Sequence, residues 1–402
     1  MFMIEKALAG GRRYWAWTLA LCVVAGIALL CYLRQLNYGL AITGLSREVT
    51  WGLYIGQFTF LVGVAASAVM IVLPHYLHDR KEFARMAILG EFLAIAALAM
   101  CALFILVDMG QPSRVLYVLL YPSLRSMMFW DMVSLSGYLI LNVVITLATL
   151  SAERKGIAPP RWIMPVILLS IPWAISIHTV TAFLYAGLPG RAFWLTAILA
   201  PRLLASAFAS GPALLIVLCL AVRKLTGYDV GSKAISALAV IVTYAMAINV
   251  FFLLMELFTS FYSQIPSLEE HFATLYTGTQ GSAGLLLILG RLSLALMVVA
   301  IFLLLIPQTR RNERTLVAAC SLTFLSLWID KGICLVACGF VPSPLGARAR
   351  YVPTLPEMLI SLGVWAVGAL MITVFYKITV AIRQSAAPLR EEHSITPLPA
   401  AK

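Results

Sequence analysis

Charged side chains are scarce in this 402-residue chain, since only 11% of its residues are Asp, Glu, Lys or Arg and 62% are hydrophobic. A water-soluble domain carries about 25% charged and about 45–50% apolar residues, so a globule of this composition could not cover its surface with polar groups. Apolar runs of about 20 residues recur along the whole chain and leave no segment for a soluble enzyme domain. The sequence therefore predicts an integral membrane protein.

The chain also lacks the ligands of common redox cofactors. None of its seven cysteines stands in a CxxC or CxxCH motif, which argues against iron–sulphur and c-type haem ligation. Of its five histidines, only His178 lies deep in an apolar run, whereas a membrane cytochrome b needs two axial imidazoles for each haem. We therefore expect no haem and no iron–sulphur cluster in this chain, and we expect any metal to belong to a partner.

Ten apolar segments are long enough to span a bilayer as helices. They cover residues 14–34, 51–74, 87–109, 130–151, 162–188, 199–223, 235–259, 282–306, 314–340 and 357–383. An even number of spans puts both termini on one side, and that side carries nineteen Lys and Arg residues against eight on the other. The positive-inside rule then places both termini in the cytoplasm and the chain in the cell inner membrane. Because the excess of positive charge serves orientation, we expect no nucleic acid partner.

The predicted organisation is one transmembrane domain with a short tail at each end. Residues 1–13 form a cytoplasmic tail, residues 14–383 the transmembrane domain, and residues 384–402 a cytoplasmic tail that is expected to be disordered. Spans two to five, in residues 51–188, and spans six to nine, in residues 199–340, could be related units of four helices. The predicted fold is therefore an all-α membrane protein with two four-helix bundles plus flanking helices.

Small residues support a correspondence between the two units. The segment GVAASA at 63–68 lies in the second span and ASAFASG at 205–211 lies in the sixth. Small residues allow helix backbones to approach closely inside a membrane. We therefore expect these two spans to pack tightly.

Ionisable side chains inside the predicted spans are informative because a charge is costly in hydrocarbon. Counting about 1.5 Å per residue from the span ends puts most of them in the outer half of the membrane. These are Asp108, Asp131, His178, Arg202, Glu256, Asp330 and Lys331, while Arg291 falls near the middle and Glu91 toward the cytoplasm. A proton-translocating channel would show titratable groups through the full depth. The pattern instead favours one polar pocket near the outer face.

A quinone suits such a pocket, because its ring and tail need apolar walls and its carbonyls need a hydrogen-bond donor. His178 can donate that bond and exchange its proton, since an imidazole titrates near neutral pH. Asp108 and Glu256 could pass protons to or from the aqueous side. Arg202 could orient a carboxylate, and Asp131 completes the quinone-binding set. A possible proton route is formed by Arg291, Glu91 and Asp330, and no metal site is predicted.

Other interpretations stay open at this point. His178 could simply hydrogen-bond across helices, and Asp330 and Lys331, which point about 100° apart on an α-helix, could pair with neighbours and not with each other. The alternative function is a secondary transporter with an intramembrane ion or substrate site. Such sites are generally near the midplane and between broken helices, and prolines in the fifth and sixth spans are compatible with breaks.

Six segments, taken together and in order, resemble the NrfD/PsrC family of polysulphide reductase membrane subunits. They are VTWGLYIGQFTFLVGVAASAVM (49–70), VDMGQPSR (107–114), SIHTVTAFLYAGLPGR (176–191), AINVFFLLMELFTSFYS (247–263), WIDKGI (328–333) and YVPTLPE (351–357). The ten spans and the WIDKGI segment are most similar to the DsrP branch, which is associated with sulphite reductase.

The resemblance implies a quinone-binding subunit, for menaquinone or ubiquinone, built from two four-helix bundles and without a cofactor of its own. It also implies an extracytoplasmic ferredoxin-like iron–sulphur subunit as a partner, within a larger membrane redox complex. His178, Asp108 and Glu256 are the residues to which it gives functional roles. We therefore expect a subunit that exchanges electrons between the quinone pool and that partner in sulphur metabolism, in a direction that the resemblance leaves open.

Overall fold

The protein is all-helical in the part of the chain that its structure, a computed structural model, describes. That part comprises residues 5, 8–78, 80–157, 159–278, 284–341, 343 and 351–395, the last eleven of them by backbone only. Ten of its helices are long and apolar enough to cross a membrane. They are α1 (Arg12–Ile42), α2 (Leu53–Tyr76), α3 (Lys81–Asp108), α4 (Met127–Lys155), α5 (Ile163–Ala186), α6 (Leu199–Thr226), α7 (Ser232–Tyr262), α8 (Leu285–Leu305), α9 (Glu313–Cys338) and α10 (Leu355–Gln384). All ten predicted spans are thus present, and the chain is a multi-pass membrane protein.

The spanning helices are arranged as two closed bundles. In the first bundle, α2 packs against α3 and α5, and α4 closes the ring between α3 and α5. In the second bundle, α6 packs against α7 and α9, and α8 closes the ring between them. Helices α1 and α10 pack on each other, and α10 lies against α3. The prediction of two four-helix bundles plus flanking helices is confirmed.

Helices α2 and α6 bring the two bundles together at their small residues. A side chain on Gly211 would lie 2.0 Å from Ser67 Oγ, and one on Gly63 would lie 3.3 Å from Ala207 Cβ. The two small-residue patches of the sequence therefore lie where two helix backbones approach each other. If residues 51–188 and 199–340 are repeats of each other, the helices of both bundles must follow the same ring order, as they do. The repeat itself stays a prediction.

The alternation of the spans gives the molecule two faces. The start of α1 and the end of α10 share one of them, which we call the tail face; the opposite side, where α1 ends and α2 begins, is the loop face. A short connecting helix, Pro266–Tyr276, lies on the loop face between α7 and α8 and packs against α8. Which face meets the cytoplasm stays a prediction from the positive charges.

The predicted tails fall mostly outside what the structure shows. Among residues 1–13, α1 already begins at Arg12, and residues 1–4, 6 and 7 lie outside the described residues. The backbone of α10 continues as a helix to Ile395, while residues 396–402 are not described. The predicted disorder of residues 384–402 therefore stays a prediction.

Candidate functional site

Four charged residues form an ion cluster inside the second bundle, near the loop face. Arg202 of α6 pairs with Glu256 of α7, and its Nη2 lies 3.2 Å from Oδ1 of Asp330 on α9. The Nζ atom of Lys331 lies 2.7 Å from Oδ2 of Asp330. No side chain of the four is more than 8% exposed. Two cations offset two carboxylates, so the cluster places no net formal charge in the hydrocarbon.

The contact between Asp330 and Lys331 depends on a local change of helix type. Helix α9 makes a π-helical turn over Asp330–Cys334, a feature that is frequent at functional sites. Asp330 and Lys331 therefore pair with each other, an outcome that the sequence left open, and Asp330 also binds Arg202. The turn lies against α2, where a side chain on Gly56 would meet the carbonyl oxygen of Gly332 at 1.7 Å.

His178 of α5 lies beside the ion cluster without touching its carboxylates. Its Nε2 is 2.9 Å from the carbonyl oxygen of Leu203, the residue after Arg202. This nitrogen therefore donates, and in the neutral ring the lone pair is on Nδ1. Among the described residues, the buried Nδ1 atom has no hydrogen-bond partner.

Asp131 of α4 lies in the first bundle and is connected to α5. Thr181, one turn after His178, donates to Oδ1 of Asp131 at 2.7 Å. One turn further along α5, the hydroxyl of Tyr185 hydrogen-bonds to Thr59 of α2. Asp131 is buried, and within the described ranges it forms no ion pair. It is thus a carboxyl group held by a hydroxyl and not by a cation.

Asp108 lies at the loop-face end of α3 and is half-buried. Its Oδ1 is buried and has no hydrogen-bond partner in the part of the chain that the structure describes. Beside it, the Gln35 amide of α1 donates to the carbonyl oxygen of Val107 at 2.6 Å and accepts from the Tyr54 hydroxyl at 2.9 Å. Asp108 acts electrostatically on Tyr54 and on Tyr185. It therefore stands where the interior of the first bundle approaches the loop face.

Glu91 of α3 lies in the other half of the membrane, as the sequence predicts. It is buried and accepts a hydrogen bond of 3.1 Å from Thr146 of α4. Like Asp131, it has no ion pair among the residues that the structure covers. The group that holds it is a neutral hydroxyl.

Arg291 of α8 contacts the connecting helix, and its depth near the middle of the membrane stays a prediction. It is exposed, its Nε donates to the carbonyl oxygen of Tyr276 at 3.0 Å, and its Nη2 donates to that of Thr277 at 3.3 Å. It thus caps the C-terminal end of the connecting helix, where a cation is favourable. Span length alone could not reveal this, because the connecting helix folds back against α8. No contact in the described part joins Arg291, Glu91 and Asp330 into one route.

The predicted single pocket is therefore divided. The loop-face half holds the ion cluster in the second bundle, the Asp131–Thr181 pair in the first, His178 between them, and Asp108 at the rim. An apolar cleft of about 290 Å³ lies between α5 and the start of α6, and it is lined by Ala182, Phe183, Ala186, Leu195, Thr196, Ala197, Leu199 and Ala200. Its volume is at the lower limit of small-molecule sites. It lies on the lipid side of α5, whereas His178 faces the interior.

A buried carboxylate that sequence reasoning did not single out holds the loop face together. Glu357, at the start of α10, accepts hydrogen bonds from the backbone N–H of Gly44 at 3.0 Å and of Leu53 at 3.3 Å. It also accepts from the Tyr351 hydroxyl. Burial raises the pKa of the Tyr351 phenol, and the nearby Glu357 carboxylate raises that pKa further, so Tyr351 is the donor. Both residues belong to the YVPTLPE segment, whose resemblance to a family pattern does not reveal this role.

His271 fixes the connecting helix to the end of α9. Its Nδ1 lies 2.9 Å from the carbonyl oxygen of Cys338 and 3.0 Å from that of Val341. Cys338 in turn donates to the carbonyl oxygen of His271 at 3.3 Å. Burial lowers the pKa of His271. Within the described ranges, no three His, Cys, Asp or Glu side chains are grouped as a metal ion would require.

Comparison with known proteins identifies the family. The sequence profile of the family described as Polysulphide reductase, NrfD, matches residues 41–342, well over half of the chain. The chain is 25% identical to a Halobacterium salinarum protein that is named as a membrane subunit of dimethyl sulfoxide reductase, over 90% of this chain and 89% of that protein. It is 23% identical to the integral membrane subunit of an Hdr-like menaquinol oxidoreductase of Archaeoglobus fulgidus, over 77% of this chain and 75% of that protein. It is also 23% identical to a Mesobacillus selenatarsenatis protein that is named as a subunit of selenate reductase, over 52% of this chain and 56% of that protein. The chain therefore belongs to the polysulphide reductase NrfD family.

Proposed function

We propose that this NrfD-family chain is the quinone- or quinol-interacting membrane subunit of a respiratory oxidoreductase complex. It exchanges electrons between the membrane quinone pool and an extracytoplasmic iron–sulphur subunit. The relatives support the first part, since one is named as a membrane subunit of dimethyl sulfoxide reductase and another as an integral membrane subunit of a menaquinol oxidoreductase. The observation that carries the proposal is the concentration of buried ionisable side chains in the loop-face half of the membrane.

The loop face is the place where a quinone ring would be useful. A quinol that is oxidised releases two electrons and two protons, and the reverse reaction takes them up. The electrons must reach a cluster of the partner, so the ring has to be close to the face on which the partner is bound. The apolar cleft between α5 and α6 opens there toward lipid and offers walls for a ring or for part of an isoprenoid tail.

Two of the predicted residues have a free acceptor atom for the protons. Asp108 has an unpartnered Oδ1 at the rim, and His178 has an unpartnered Nδ1 inside. Either can take a proton without breaking an ion pair. Glu256 cannot, because Arg202 holds it as an ion. We therefore assign proton exchange to Asp108 and His178, and we assign to Glu256 and Arg202 the task of fixing the backbone that His178 binds.

The finer parts of the assignment rest on sequence resemblance. The WIDKGI segment and the ten spans support a place near the DsrP branch, a role in sulphur metabolism and a ferredoxin-like partner. The quinone, of either menaquinone or ubiquinone type, would be a mobile substrate and not a resident cofactor. Asp131, which Thr181 holds, would stand behind this site in the first bundle.

The prolines that made a secondary transporter an alternative lie in helices that are not broken at those positions. Transporter sites are generally formed by helices that break near the midplane. Pro172 lies inside α5 and Pro212 inside α6, and both helices continue through them. The two prolines therefore do not create the broken helices that this alternative needs.

His178→Ala tests the proposed function. We expect quinol-linked turnover of the assembled complex to fall by about a hundredfold, because a positioned proton-transfer group contributes at least that much. His178→Gln separates the two roles of the ring, since the glutamine amide can still donate to the Leu203 carbonyl but cannot accept and release a proton. His271→Gln is the matched control for a buried histidine outside the bundles. Turnover at the wild-type level in both His178 variants would remove this residue from the mechanism.

A further inference from the structure

One face of α4 is polar from end to end, although the helix crosses hydrocarbon. At intervals of three or four residues it carries Asp131, Ser134, Tyr138, Asn142, Thr146 and Thr149. Residues at this spacing share one side of a helix. The first five are only 1% to 6% exposed. The polar face therefore points into the interior of the first bundle.

The remaining surface of α4 has the opposite character. Ile140 and Leu147 are large apolar side chains that are more than half exposed, as expected where a helix meets lipid. A polar backbone or side chain is tolerated at membrane depth only inside protein or beside water. The polar residues of α4 are thus confined to the side that faces the bundle interior, at six positions about one helical turn apart. The side that faces lipid is apolar.

Carboxyl groups stand beside this face at two depths. Asp131 accepts from Thr181 of α5 at 2.7 Å near the loop face, and Glu91 of α3 accepts from Thr146 at 3.1 Å in the tail-face half. Neither forms an ion pair in the part of the chain that the structure describes. A carboxyl group without a cation partner can gain and lose a proton without breaking such a pair. Asp330, in contrast, is held in the second bundle between two cations.

The polar face reaches water at the tail face. One turn after Thr149, Glu153 pairs with Arg383 of α10 at 2.7 Å, and the Glu153 side chain is 24% exposed. The Thr149 hydroxyl oxygen, between Glu91 and this pair, is buried and has no hydrogen-bond partner. An unpartnered hydroxyl at this depth is a place where a water molecule or a proton carrier would bind.

At the loop face, Tyr185 of α5 extends the series of polar groups that begins on α4. Tyr185 lies one turn after Thr181, whose hydroxyl donates to Asp131, and its own hydroxyl hydrogen-bonds to Thr59 of α2. Asp108 is half-buried at the end of α3. Along α4 the polar groups follow one another at about 5–6 Å of helix rise, an interval that a single bridging water spans. Polar groups are therefore present at every depth between the two faces.

We propose that the interior of the first bundle is a proton-conducting path between the loop face and the tail face, through Asp131 and Glu91. Hydroxyl and amide groups on α4 relay the proton, and the two carboxyl groups hold it in turn. The path needs no electron transfer, because a proton that enters at one face leaves at the other, down its electrochemical gradient. The inference goes beyond the proposed quinone function and does not depend on it.

Proton flux through the full-length protein in liposomes tests the path directly. The liposomes contain a pH-sensitive dye and no quinone, and a potassium gradient with valinomycin sets the membrane potential. We expect flux well above that of protein-free liposomes. Glu91→Gln and Thr146→Val should each lower it by about a hundredfold, since each removes a positioned proton-transfer group. Thr146→Ser, which keeps the hydroxyl, should retain the flux.

Thr179→Val is the matched control, because Thr179 is a half-buried threonine of α5 whose hydroxyl, within the described ranges, bonds to the Ile175 carbonyl oxygen of its own helix. Its flux should equal that of the wild type. Flux no greater than in protein-free liposomes would overturn the path, as would undiminished flux in both Glu91→Gln and Thr146→Val. An equal loss in Thr179→Val would assign the effect to helix packing and also overturn it. Because the assay contains no quinone, failure of the path leaves the His178 test unaffected, and failure of that test leaves the flux unaffected.

Discussion

The charged residues inside the membrane are of two kinds, and the difference is in their partners. Arg202 and Lys331 offset Glu256 and Asp330 in one closed cluster. Such a cluster is held as ions, and removing one member leaves another buried charge without compensation. Asp131 and Glu91 instead accept hydrogen bonds from threonines, and Asp108 has an oxygen with no partner. The first kind fixes helices, and the second kind is suited to moving protons.

Arg202→Met should therefore be strongly destabilising, because it leaves both Glu256 and Asp330 without their shared cation. We expect a loss of about 3–5 kcal/mol, the usual cost of breaking a buried pair. The matched control is Arg223→Met at the tail-face end of α6, where the partner Glu313 is 58% exposed. An exposed pair contributes at most about 1 kcal/mol.

The measurement is the thermal unfolding midpoint of the purified protein in detergent. A markedly larger drop for Arg202→Met than for Arg223→Met would assign the ion cluster a structural role. If both variants unfolded at the same temperature, the cluster would not be what holds α6, α7 and α9 together. Adding Glu256→Gln to Arg202→Met should recover part of the loss, since Lys331 still pairs with Asp330 and the second change removes the carboxylate that is left without a cation.

At the scale of elements, the connecting helix Pro266–Tyr276 depends on a histidine. His271 donates from Nδ1 to carbonyl groups at the end of α9. Burial lowers the pKa of His271 below its ordinary value of 6.5, so folding favours the neutral ring. The stabilisation is therefore fully present above about pH 6.5 and is lost as the pH falls below it.

We expect the unfolding midpoint of the wild type to fall between pH 7 and about pH 5 more steeply than that of His271→Asn. The asparagine amide can keep a donor near the position of Nδ1 but cannot take up a proton. His75 is half-buried near the tail face, away from the connecting helix, so His75→Asn is the control for the loss of a histidine elsewhere in the chain. Equal slopes in the wild type and in His271→Asn would mean that His271 does not couple pH to stability.

The ten spans could be predicted from sequence because a run of apolar residues is itself the physical cause of a membrane helix. The depths of Asp131 and His178 also followed from the span ends. Depth is only one coordinate, however, and the ring order of each bundle decides which helix faces meet. For that reason the sequence predicts a single pocket, whereas in the structure the ion cluster and the Asp131–Thr181 pair lie in separate bundles. The π-turn at Asp330–Cys334 could not be predicted from the apolar pattern, and neither could its close approach to Gly56 of α2.

The polar face of α4 shows a different limit. The helical spacing of Ser134, Tyr138, Asn142 and Thr146 is visible in the sequence. A count of the charged residues alone, however, which weighs against a proton channel, leaves these neutral polar residues out. Neutral hydroxyl and amide groups at helical spacing fill the depths between Asp131 and the tail face. A search for polar periodicity in each span finds them. What the sequence could not supply is Glu91 as their partner, since that contact joins two helices.

At the scale of the whole molecule, the two bundles share a ring order and differ in electrostatics. The second bundle closes its charges in a neutral cluster, whereas the first keeps unpaired carboxyl groups along a polar interior. The proposed functions divide accordingly. Quinone chemistry needs the loop face to be extracytoplasmic, because the iron–sulphur partner is proposed there, whereas the proton path works in either orientation. The quinone proposal alone therefore depends on the orientation of the chain.

That orientation predicts which surface positions a membrane-impermeant thiol reagent can reach. Leu225 is 83% exposed at the tail-face end of α6, and Tyr121 is 74% exposed in the loop-face connection between α3 and α4. We expect Leu225→Cys to be labelled only in inside-out membrane vesicles and Tyr121→Cys only in right-side-out vesicles, because the positively charged loops stay in the cytoplasm. The wild type, whose cysteines lie within the apolar spans, gives the background. Labelling with the opposite sidedness would put the loop face in the cytoplasm, and the quinone site would then face a cytoplasmic partner.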